Sequence, residues 1–326
     1  MKFKWAIVGP GTIAHKFADG LKVIKEAELY AVSEIPQFYD RACKFAEEYD
    51  VKKVYKGIDE LCGDRQIDAV YISMINTMHK EAVIKCLNAG INVLCEKPIG
   101  INKSELEEMI VCAKSNNVFL MEALWTNFLP AVRKAKEWIA AGMIGEIKSI
   151  TADFGFRVPT RKGRHFNKSL GGGVLLDVAT YTVGIPLSIM GRKPESVYSD
   201  LYICPEGVDE VNIINMNYGE GKHVRIHNSF VCSIRQDCYV YGTEGYVYIP
   251  DFWHSPKSEL FVNGELKETF FEAFKTTGYN FEAEEVMRCL AEGKKESDIM
   301  PHSLSLSILE IMDKIREDAG LKYYGE

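Results

Sequence analysis

The amino-acid sequence predicts an α/β protein of two domains: a doubly wound parallel Rossmann sheet, then an α+β domain with a mostly antiparallel, open-faced sheet. Short apolar runs alternate with helical segments up to about residue 123, and longer strand-like runs with hairpin spacing follow. A glycine-rich turn joins the first strand to the first helix. Since 326 residues exceed the usual size of one domain, we predict domains over residues 1–123 and 124–326.

The first domain is predicted from apolar runs of about four residues, which are typical of strands buried on both faces. The predicted strands are residues 5–8, 29–32, 69–72, 92–95 and 118–121, and the predicted helices are residues 12–21, 41–49, 79–89 and 103–115. Strands and helices in this order form a doubly wound sheet, whose ligands bind at the carboxyl ends of the strands.

The second domain is predicted as a sheet with helices on one side. Its predicted strands are residues 147–156, 197–203, 211–218, 224–231, 239–242 and 246–249, and its predicted helices are residues 130–141, 176–190, 281–291 and 303–319. Pro186 lies inside one of these helices and should kink or end it. The course of residues 156–169, 250–256 and 272–279 is not predicted.

The charge of the chain argues against nucleic acid as a partner. Its net charge is −7, whereas phosphate binding needs a concentrated basic surface. The one basic cluster, residues 161–164, is short and is expected to be a solvated loop.

The cysteines and the apolar segments indicate a cytoplasmic protein. There are nine cysteines and no Cys-x-x-Cys pair, which suits neither a disulfide framework nor a zinc site. Reduced thiols are the simplest account. The first residues enter a strand without a signal-like apolar stretch, and no run of about 18 apolar residues indicates a membrane span. We expect no metal and no membrane.

Residues 9–14 form a Gly-x-Gly-x-x-Ala turn between the first strand and the first helix. Gly9 permits a tight turn, Gly11 lets the backbone approach a pyrophosphate, and Ala14 lets helix and strand pack closely. The helix N-terminus offers free N–H groups to the anion. The expected donors are Gly11, Thr12 and Ile13.

Glu34 follows the second strand, 25 residues after Gly9. A carboxylate there accepts hydrogen bonds from the ribose hydroxyls and repels a 2′-phosphate, which favours NAD over NADP. The alternative is a solvated loop acid. Arg41 is close enough along the chain to curl back toward it.

Lys97 follows the strand at residues 92–95, where ligands of a parallel sheet bind. We therefore place Glu96 and Lys97 at the cofactor. An ammonium there hydrogen-bonds the reacting oxygen or lowers the pKa of a neighbouring group. Taken alone, Glu-Lys-Pro is common in loops.

Four motifs in order resemble the Gfo/Idh/MocA oxidoreductase family: residues 9–14, 76–79, 89–99 and 171–181. Residues 121–126 and Tyr181 resemble the branch of dimeric dihydrodiol and D-xylose dehydrogenases. The similarity spans nearly the whole chain and is weakest beyond about residue 250.

The resemblance implies that Lys97, Asp177 and Tyr181 are catalytic, although many relatives have His where this chain has Tyr181. At i, i+4 spacing Asp177 and Tyr181 share one face of a helix. A free phenol titrates near pH ~10, and a neighbouring Lys97 ammonium would lower that value. Tyr181 and Lys97 would then take the hydroxyl proton, and Asp177 would orient the substrate or the lysine. Alternatively, Asp177 is a helix N-cap.

Two further sets of residues have alternative roles as ligand contacts or as structural residues. The resemblance suggests that His79, with Asn76 beside it, approaches the nicotinamide end of the cofactor, but His79 is equally suited to capping the next helix. Trp125 and Phe154 are candidates for an aromatic substrate wall, and aromatic residues at such positions are more often core.

The predicted function is an NAD(P)-dependent dehydrogenase or reductase of sugars, polyols or vicinal diols. The rivals are a glycosidase that oxidises and re-reduces one sugar carbon with bound NAD, and a nicotinamide-binding sensor without catalysis. Residues 211–218 and 224–231 have apolar side chains in both registers, namely Val211, Ile213, Ile214, Met216, Val224, Ile226, Phe230 and Val231. An uncovered sheet face of this kind, with the family resemblance, predicts a homodimer or higher oligomer.

Overall fold

The computed structural model describes residues 2–323, which fold as two compact units. Of these described residues, the first unit holds 2–125 and 274–302, and the second holds 126–273 and 303–323. The change of unit after Trp125 lies close to the predicted boundary. The prediction differs for Phe274–His302, which it assigned to the second domain.

The first unit contains a six-stranded parallel sheet in the order β3-β2-β1-β4-β5-β6. This order confirms the doubly wound fold. Its strands are β1 (Phe3–Val8), β2 (Ala27–Glu34), β3 (Lys53–Lys56), β4 (Ala69–Ile72), β5 (Asn92–Glu96) and β6 (Leu120–Ala123). Its helices are α1 (Thr12–Leu21), α2 (Tyr39–Tyr49), α3 (Ile58–Cys62), α4 (His79–Asn88), α5 (Lys103–Asn116) and, after the second unit, α8 (Asn280–Ala291).

The core of the first unit explains why α8 belongs to it. In α1 the ring of Phe17 stacks on Tyr71 of β4, with ring centroids 3.9 Å apart. Gly20 of the same helix lies against the start of α8, where an added Cβ would come within 2.8 Å of the Asn280 nitrogen. A glycine inside α1 thus allows the close approach of a helix that is distant in sequence.

The second unit contains an eight-stranded sheet in the order β14-β13-β12-β11-β7-β10-β9-β8. Only the β7–β10 pair is parallel, which confirms the predicted mostly antiparallel sheet. The strands are β7 (Ile147–Gly155), β8 (Ser196–Ile203), β9 (Asp209–Asn217), β10 (His223–Ser229), β11 (Cys238–Gly242), β12 (Gly245–Ile249), β13 (Lys257–Val262) and β14 (Glu265–Phe271). The helices are α6 (Pro130–Ala140), α7 (Thr180–Met190) and α9 (His302–Asp318), with a π-helical turn at Leu175–Ala179.

The sheet of the second unit has one face under helices and one open face. In β9 and β10 the side chains of Ile214, Met216, Val224 and Ile226 are fully buried. Of the predicted apolar set only Val211, Ile213 and Val231 retain exposure. Most of the residues predicted to form an uncovered apolar surface on these two strands are therefore buried instead, because buried and exposed side chains alternate along most of β9 and β10.

The α7 region is the most apolar part of the second unit. The stretch Lys168–Met190 is long and apolar enough to cross a membrane, but 83% of its most apolar window is buried inside the fold, as in a core helix. Pro186 does not end the helix, contrary to one of the predicted outcomes: α7 continues to Met190 and closes at Gly191 with a φ of 65°.

Candidate functional site

The turn after β1 requires glycine at its first position. Gly9 has a φ of +83°, and an added Cβ would lie 2.8 Å from the Met74 Cγ. Both the backbone angle and the neighbouring loop therefore exclude a larger residue. Ala14, the small residue of the motif, is fully buried against the sheet.

Gly11 is not required by packing, which distinguishes it from Gly9. An added Cβ would meet nothing closer than the Gly9 carbonyl oxygen at 4.0 Å. Gly11 is also the N-cap of α1, and no side chain caps the helix. The open space lies over an uncapped helix N-terminus, and a dinucleotide pyrophosphate fits such a place.

The donors differ slightly from the prediction. The Gly11 N–H donates to the Gly9 carbonyl at 2.7 Å, so it is already used within the turn. The N–H groups of Thr12 and Ile13 lie in the first turn of α1, where no intrahelical acceptor exists. These two groups are therefore the donors that the turn offers.

Glu34 and Arg41 form a pair at the carboxyl end of β2. The Arg41 Nε donates to the Glu34 Oε2 at 2.9 Å, with a second short contact from its terminal nitrogen. The Ile35 N–H donates to the Glu34 Oε1 at 2.9 Å. Glu34 is 3% exposed, whereas the Arg41 side chain is half exposed. Glu34 is thus a bound carboxylate and not a solvated loop acid.

His79 bridges two loops of the first unit. Its Nδ1 lies 2.9 Å from the Pro98 carbonyl oxygen and its Nε2 lies 3.1 Å from the Met74 carbonyl oxygen. Burial lowers the pKa of His79, so the ring is neutral at neutral pH and donates to one of the two. The side chain does not cap α4, which was the predicted alternative. Asn76 is half-buried at the start of the Asn76–Met78 turn, and its contact with a cofactor stays a prediction.

The turn that carries Lys97 is held by buried carboxylates. Glu96 accepts a short hydrogen bond from the Tyr71 hydroxyl and another from the Lys97 N–H at 3.1 Å. The Glu122 Oε1 accepts from the Ile99 N–H at 3.1 Å. Both acids therefore hold the backbone of the turn on either side of Pro98.

Glu282 of α8 is a buried acid that the sequence analysis missed. It is fully buried, and neither carboxylate oxygen has a hydrogen-bond partner in the described part of the chain. Burial and the carboxylate of Glu96 raise the pKa of Glu282 well above its ordinary value. Both effects favour the protonated form of Glu282, which avoids a second buried charge beside Glu96.

Asp177 lies in the π-helical turn of the second unit and is 7% exposed. Its Oδ2 is 3.3 Å from an Arg164 guanidinium nitrogen and 3.6 Å from the His165 Nε2. The alternative that Asp177 caps a helix is wrong, because its side chain contacts these two residues from inside the turn. All four residues of the basic run at 161–164 are exposed, as predicted for a solvated loop, and Arg161 pairs with Glu206 and Glu210.

The three glycines at 171–173 explain why the Arg164 loop reaches Asp177. A Cβ on Gly172 would come within 2.6 Å of the Arg164 carbonyl oxygen, and one on Gly173 within 2.4 Å of the Asp209 Oδ1. The absence of side chains therefore lets the loop lie directly on the start of the π-helical turn. Sequence reasoning assigned these glycines only to a motif.

Tyr181 lies one turn after Asp177 and is 6% exposed. Its ring contacts Phe154 of β7 at 5.7 Å and Trp253 at 6.4 Å between centroids. Phe154 and Trp253 stack on each other at 5.4 Å. Phe154 thus lies beside Tyr181 as an aromatic wall requires, and Trp253 extends this wall from a segment whose course was not predicted.

Trp125 is buried in the first unit, where it stacks on Tyr279 with centroids 4.5 Å apart and an interplanar angle of 16°. This burial suits the alternative of a core residue, and a contact of Trp125 with the substrate stays a prediction. Among residues 2–323, no group of three or more His, Cys, Asp or Glu side chains is arranged to hold a metal ion.

Two family models match the chain. Residues 3–124 match the oxidoreductase family with an NAD-binding Rossmann fold, and residues 132–248 match the Gfo/Idh/MocA C-terminal domain. The first match lies in the first unit and the second match lies in the second unit.

Full-length relatives carry the name trans-1,2-dihydrobenzene-1,2-diol dehydrogenase. The chain is 35% identical to the protein of Xenopus laevis over 333 residues, which covers 99% of this chain and 100% of the relative. It is 34% identical to the human protein over 339 residues, which covers 99% and 98%.

Solved structures share the fold at low sequence identity. A levoglucosan dehydrogenase in complex with NADH and levoglucosan has a TM-score of 0.87 at 18% identity, covering 98% of both chains. An aldose-aldose oxidoreductase from Caulobacter crescentus complexed with glycerol has a TM-score of 0.86 at 20% identity, covering 98% of both chains. At these identities the likeness establishes the fold alone.

Proposed function

Because the chain belongs to the Gfo/Idh/MocA family of oxidoreductases, we propose that it is an NAD(P)-dependent dehydrogenase or reductase. Its substrate is a sugar, a polyol or a vicinal diol, whose carbinol or ketone carbon gives or accepts the hydride. The full-length relatives named for a dihydrodiol and the fold shared with sugar oxidoreductases support this substrate class.

The observation that carries the proposal is the open space over Gly11 at the uncapped N-terminus of α1. A turn with only a structural role does not require glycine at a position where a Cβ would fit. A bound pyrophosphate, in contrast, needs both the free space and the N–H groups. When bound, the nicotinamide supplies the hydride acceptor or donor.

The chain itself supplies the acid and base chemistry. Tyr181 and Lys97 are assigned to taking the hydroxyl proton during oxidation and returning it during reduction. Asp177 orients the substrate hydroxyl or the lysine, and the Arg164 and His165 contacts hold its carboxylate in place. The stacked rings of Phe154 and Trp253 exclude water beside the Tyr181 ring.

The substrate class is tested with a panel of aldoses, polyols and vicinal diols, scored by the absorbance of the reduced nicotinamide. We expect turnover with at least one class and none with the Gly11→Val variant. That variant keeps the fold, since the Cβ meets no atom within 4.0 Å, but fills the pyrophosphate space. A panel without any reduced cofactor would contradict the proposed activity.

NAD(H) is the proposed preference within the NAD(P) class. A 2′-phosphate at the end of β2 would meet the Glu34 carboxylate. Glu34→Ser removes that charge and frees the Arg41 guanidinium from its hydrogen bonds. We expect kcat/KM for NADP(H) relative to NAD(H) to rise by about tenfold or more, equivalent to ~1.4 kcal/mol.

Arg41→Ala is the matched variant, because it keeps the carboxylate and removes the cation. It should lower the relative use of NADP(H) still further. A wild-type preference for NADP(H), lost in Arg41→Ala, would overturn the assignment and make Arg41 the phosphate partner.

A homodimer, or a larger oligomer built from it, is proposed through the open face of the second unit's sheet. The strand register puts Tyr239, Tyr241, Tyr246, Tyr248 and Phe261 on that face as a cluster of contacting rings. Across β8 and β9 the same face carries Tyr198, which is 67% exposed, and Ile213, which is 43% exposed. Large exposed apolar faces usually mark an interface.

Light scattering on dilute protein should therefore give at least twice the chain mass of 36.8 kDa. A stable interface buries at least ~1,200 Å², so one central charge should disrupt it. We expect Ile213→Glu to give the single-chain mass and Val111→Glu, an exposed apolar residue on α5, to leave the mass unchanged. A wild type that stays at 36.8 kDa as concentration rises would contradict the dimer.

We also propose that the protein works in the cytoplasm. All nine of its cysteines are free thiols, which suits a reducing compartment. Fractionation of cells that express the full chain would test this location.

A further inference from the structure

A series of buried side-chain hydrogen bonds connects α7 with two strands of the second unit's sheet. The Thr182 hydroxyl donates to the Asn228 Oδ1 at 3.1 Å, and the Asn228 amide donates to the Asn212 Oδ1 at 2.9 Å. The Asn212 amide in turn donates to the Asp209 Oδ2 at 3.0 Å. All four residues are fully buried.

The two ends of this series of hydrogen bonds lie at the same short segment of the protein. Asp209 Oδ2 also accepts from the backbone N–H of Leu175 at 3.0 Å, and Leu175 begins the π-helical turn. At the other end, Thr182 directly follows Tyr181. The hydrogen bonds therefore tie together both ends of the segment that carries Asp177 and Tyr181.

The Asp209 carboxylate sets the donor-to-acceptor direction of this series of hydrogen bonds. Burial raises the pKa of Asp209 to about 6, and the Arg316 guanidinium of α9 opposes that rise, so the group is mainly ionised at neutral pH. An ionised carboxylate only accepts hydrogen bonds. Asn212 must then turn its amide nitrogen toward Asp209 and its oxygen toward Asn228, which fixes each following donor in the same direction.

Stability alone gives no clear reason for this arrangement. Apolar side chains of similar shape commonly replace a buried polar pair at little or no loss of stability. π-helical turns are rare, and they are frequent at functional sites. The Asp209 Oδ1 has no hydrogen-bond partner among residues 2–323, but the other hydrogen bonds of this network are all made, and they can be made together in only one arrangement. They therefore define the position of such a turn more narrowly than apolar packing does.

We propose that Asp209, Asn212, Asn228 and Thr182 are positioning residues that hold the turn bearing Asp177 and Tyr181 in its active geometry. This inference rests on the proposed function, in which those two residues act on the substrate. A misplacement of about 1 Å at a reacting group lowers turnover by up to ~10²-fold.

The test begins with Thr182→Val, which removes the hydroxyl and leaves the Asn228 Oδ1 unpaired. We expect kcat to fall by about 10- to 100-fold with an unchanged KM for the cofactor, and the pH profile of kcat to shift because the base is displaced. Thr182→Ser, which restores the hydroxyl, should recover most of the rate. Ser258→Ala removes a buried hydroxyl of the same unit that has no hydrogen-bond partner among residues 2–323, and it should behave like wild type.

Hydrogen exchange separates this inference from the proposed function. The amides of residues 175–181 should exchange faster in Thr182→Val and not in Ser258→Ala, whether or not Tyr181 is catalytic. Unchanged exchange, kcat and pH profile in Thr182→Val would overturn the positioning role even if Tyr181→Phe is inactive. If Thr182→Val does not fold, Thr182→Ala removes the same hydroxyl without added bulk and is measured in its place.

Discussion

Lys97→Met is expected to lower turnover by about 10²- to 10⁴-fold while cofactor affinity stays nearly unchanged. The substitution removes the ammonium that we assign to the reacting oxygen and keeps a side chain of similar length. The turn should survive, because it is held through the Lys97 and Ile99 N–H groups by Glu96 and Glu122. Steady-state kinetics and a fluorescence titration with the reduced cofactor measure the two quantities.

Lys80→Met is a suitable control for the loss of a lysine in the same unit. Its ammonium pairs with Glu108 on the surface, so kcat should not change by more than about twofold. If Lys97→Met stayed within about tenfold of the wild-type turnover, Lys97 would have no acid–base role in the mechanism.

Tyr181→Phe is expected to lower turnover by a similar factor of about 10²- to 10⁴-fold, because it deletes the phenolic hydroxyl and keeps the ring. The ring remains to pack on Phe154 and Trp253, so the fold and the aromatic wall should persist. In the wild type, kcat for alcohol oxidation should rise with pH as the base loses its proton. The rise should end well below pH ~10, where a free phenol titrates.

Tyr202→Phe, at an exposed position on β8, controls for the loss of a phenol elsewhere in the second unit. It should keep both the rate and the pH profile. If Tyr181→Phe kept its rate, the proton would have to pass elsewhere. His165, whose Nε2 lies 3.6 Å from the Asp177 carboxylate, would become the next candidate in that unit.

Most of the fold was predictable, because the apolar periodicity is strong where strands are buried on both faces. The ranges Thr12–Leu21 and Ala69–Ile72 agree with prediction at both ends. Strands β3, β13 and β14 were missed, since they contain many polar residues, and β3 and β14 are edge strands with exposed side chains. An edge strand has little burial and therefore little periodic signal.

The site was predictable in its motifs but not in the contacts that support them. Arg164 ends the basic run at residues 161–164 and His165 follows it, and only the tertiary fold brings them to Asp177. Likewise, the presence of α8 in the first unit depends on its packing at Gly20. Local patterns carry no information on such distant partners, whereas Arg41, seven residues from Glu34, was foreseeable as a neighbour.

The central claim is a net hydride transfer between cofactor and substrate, and its most direct test is stoichiometry. With the best substrate of the panel, oxidised product and reduced nicotinamide are measured in the same reaction, for the wild type and for Lys97→Met. We predict equal amounts of the two in the wild type and strongly reduced amounts of both in the variant. Product formed without net reduced cofactor, or cofactor binding without any product, would contradict the account.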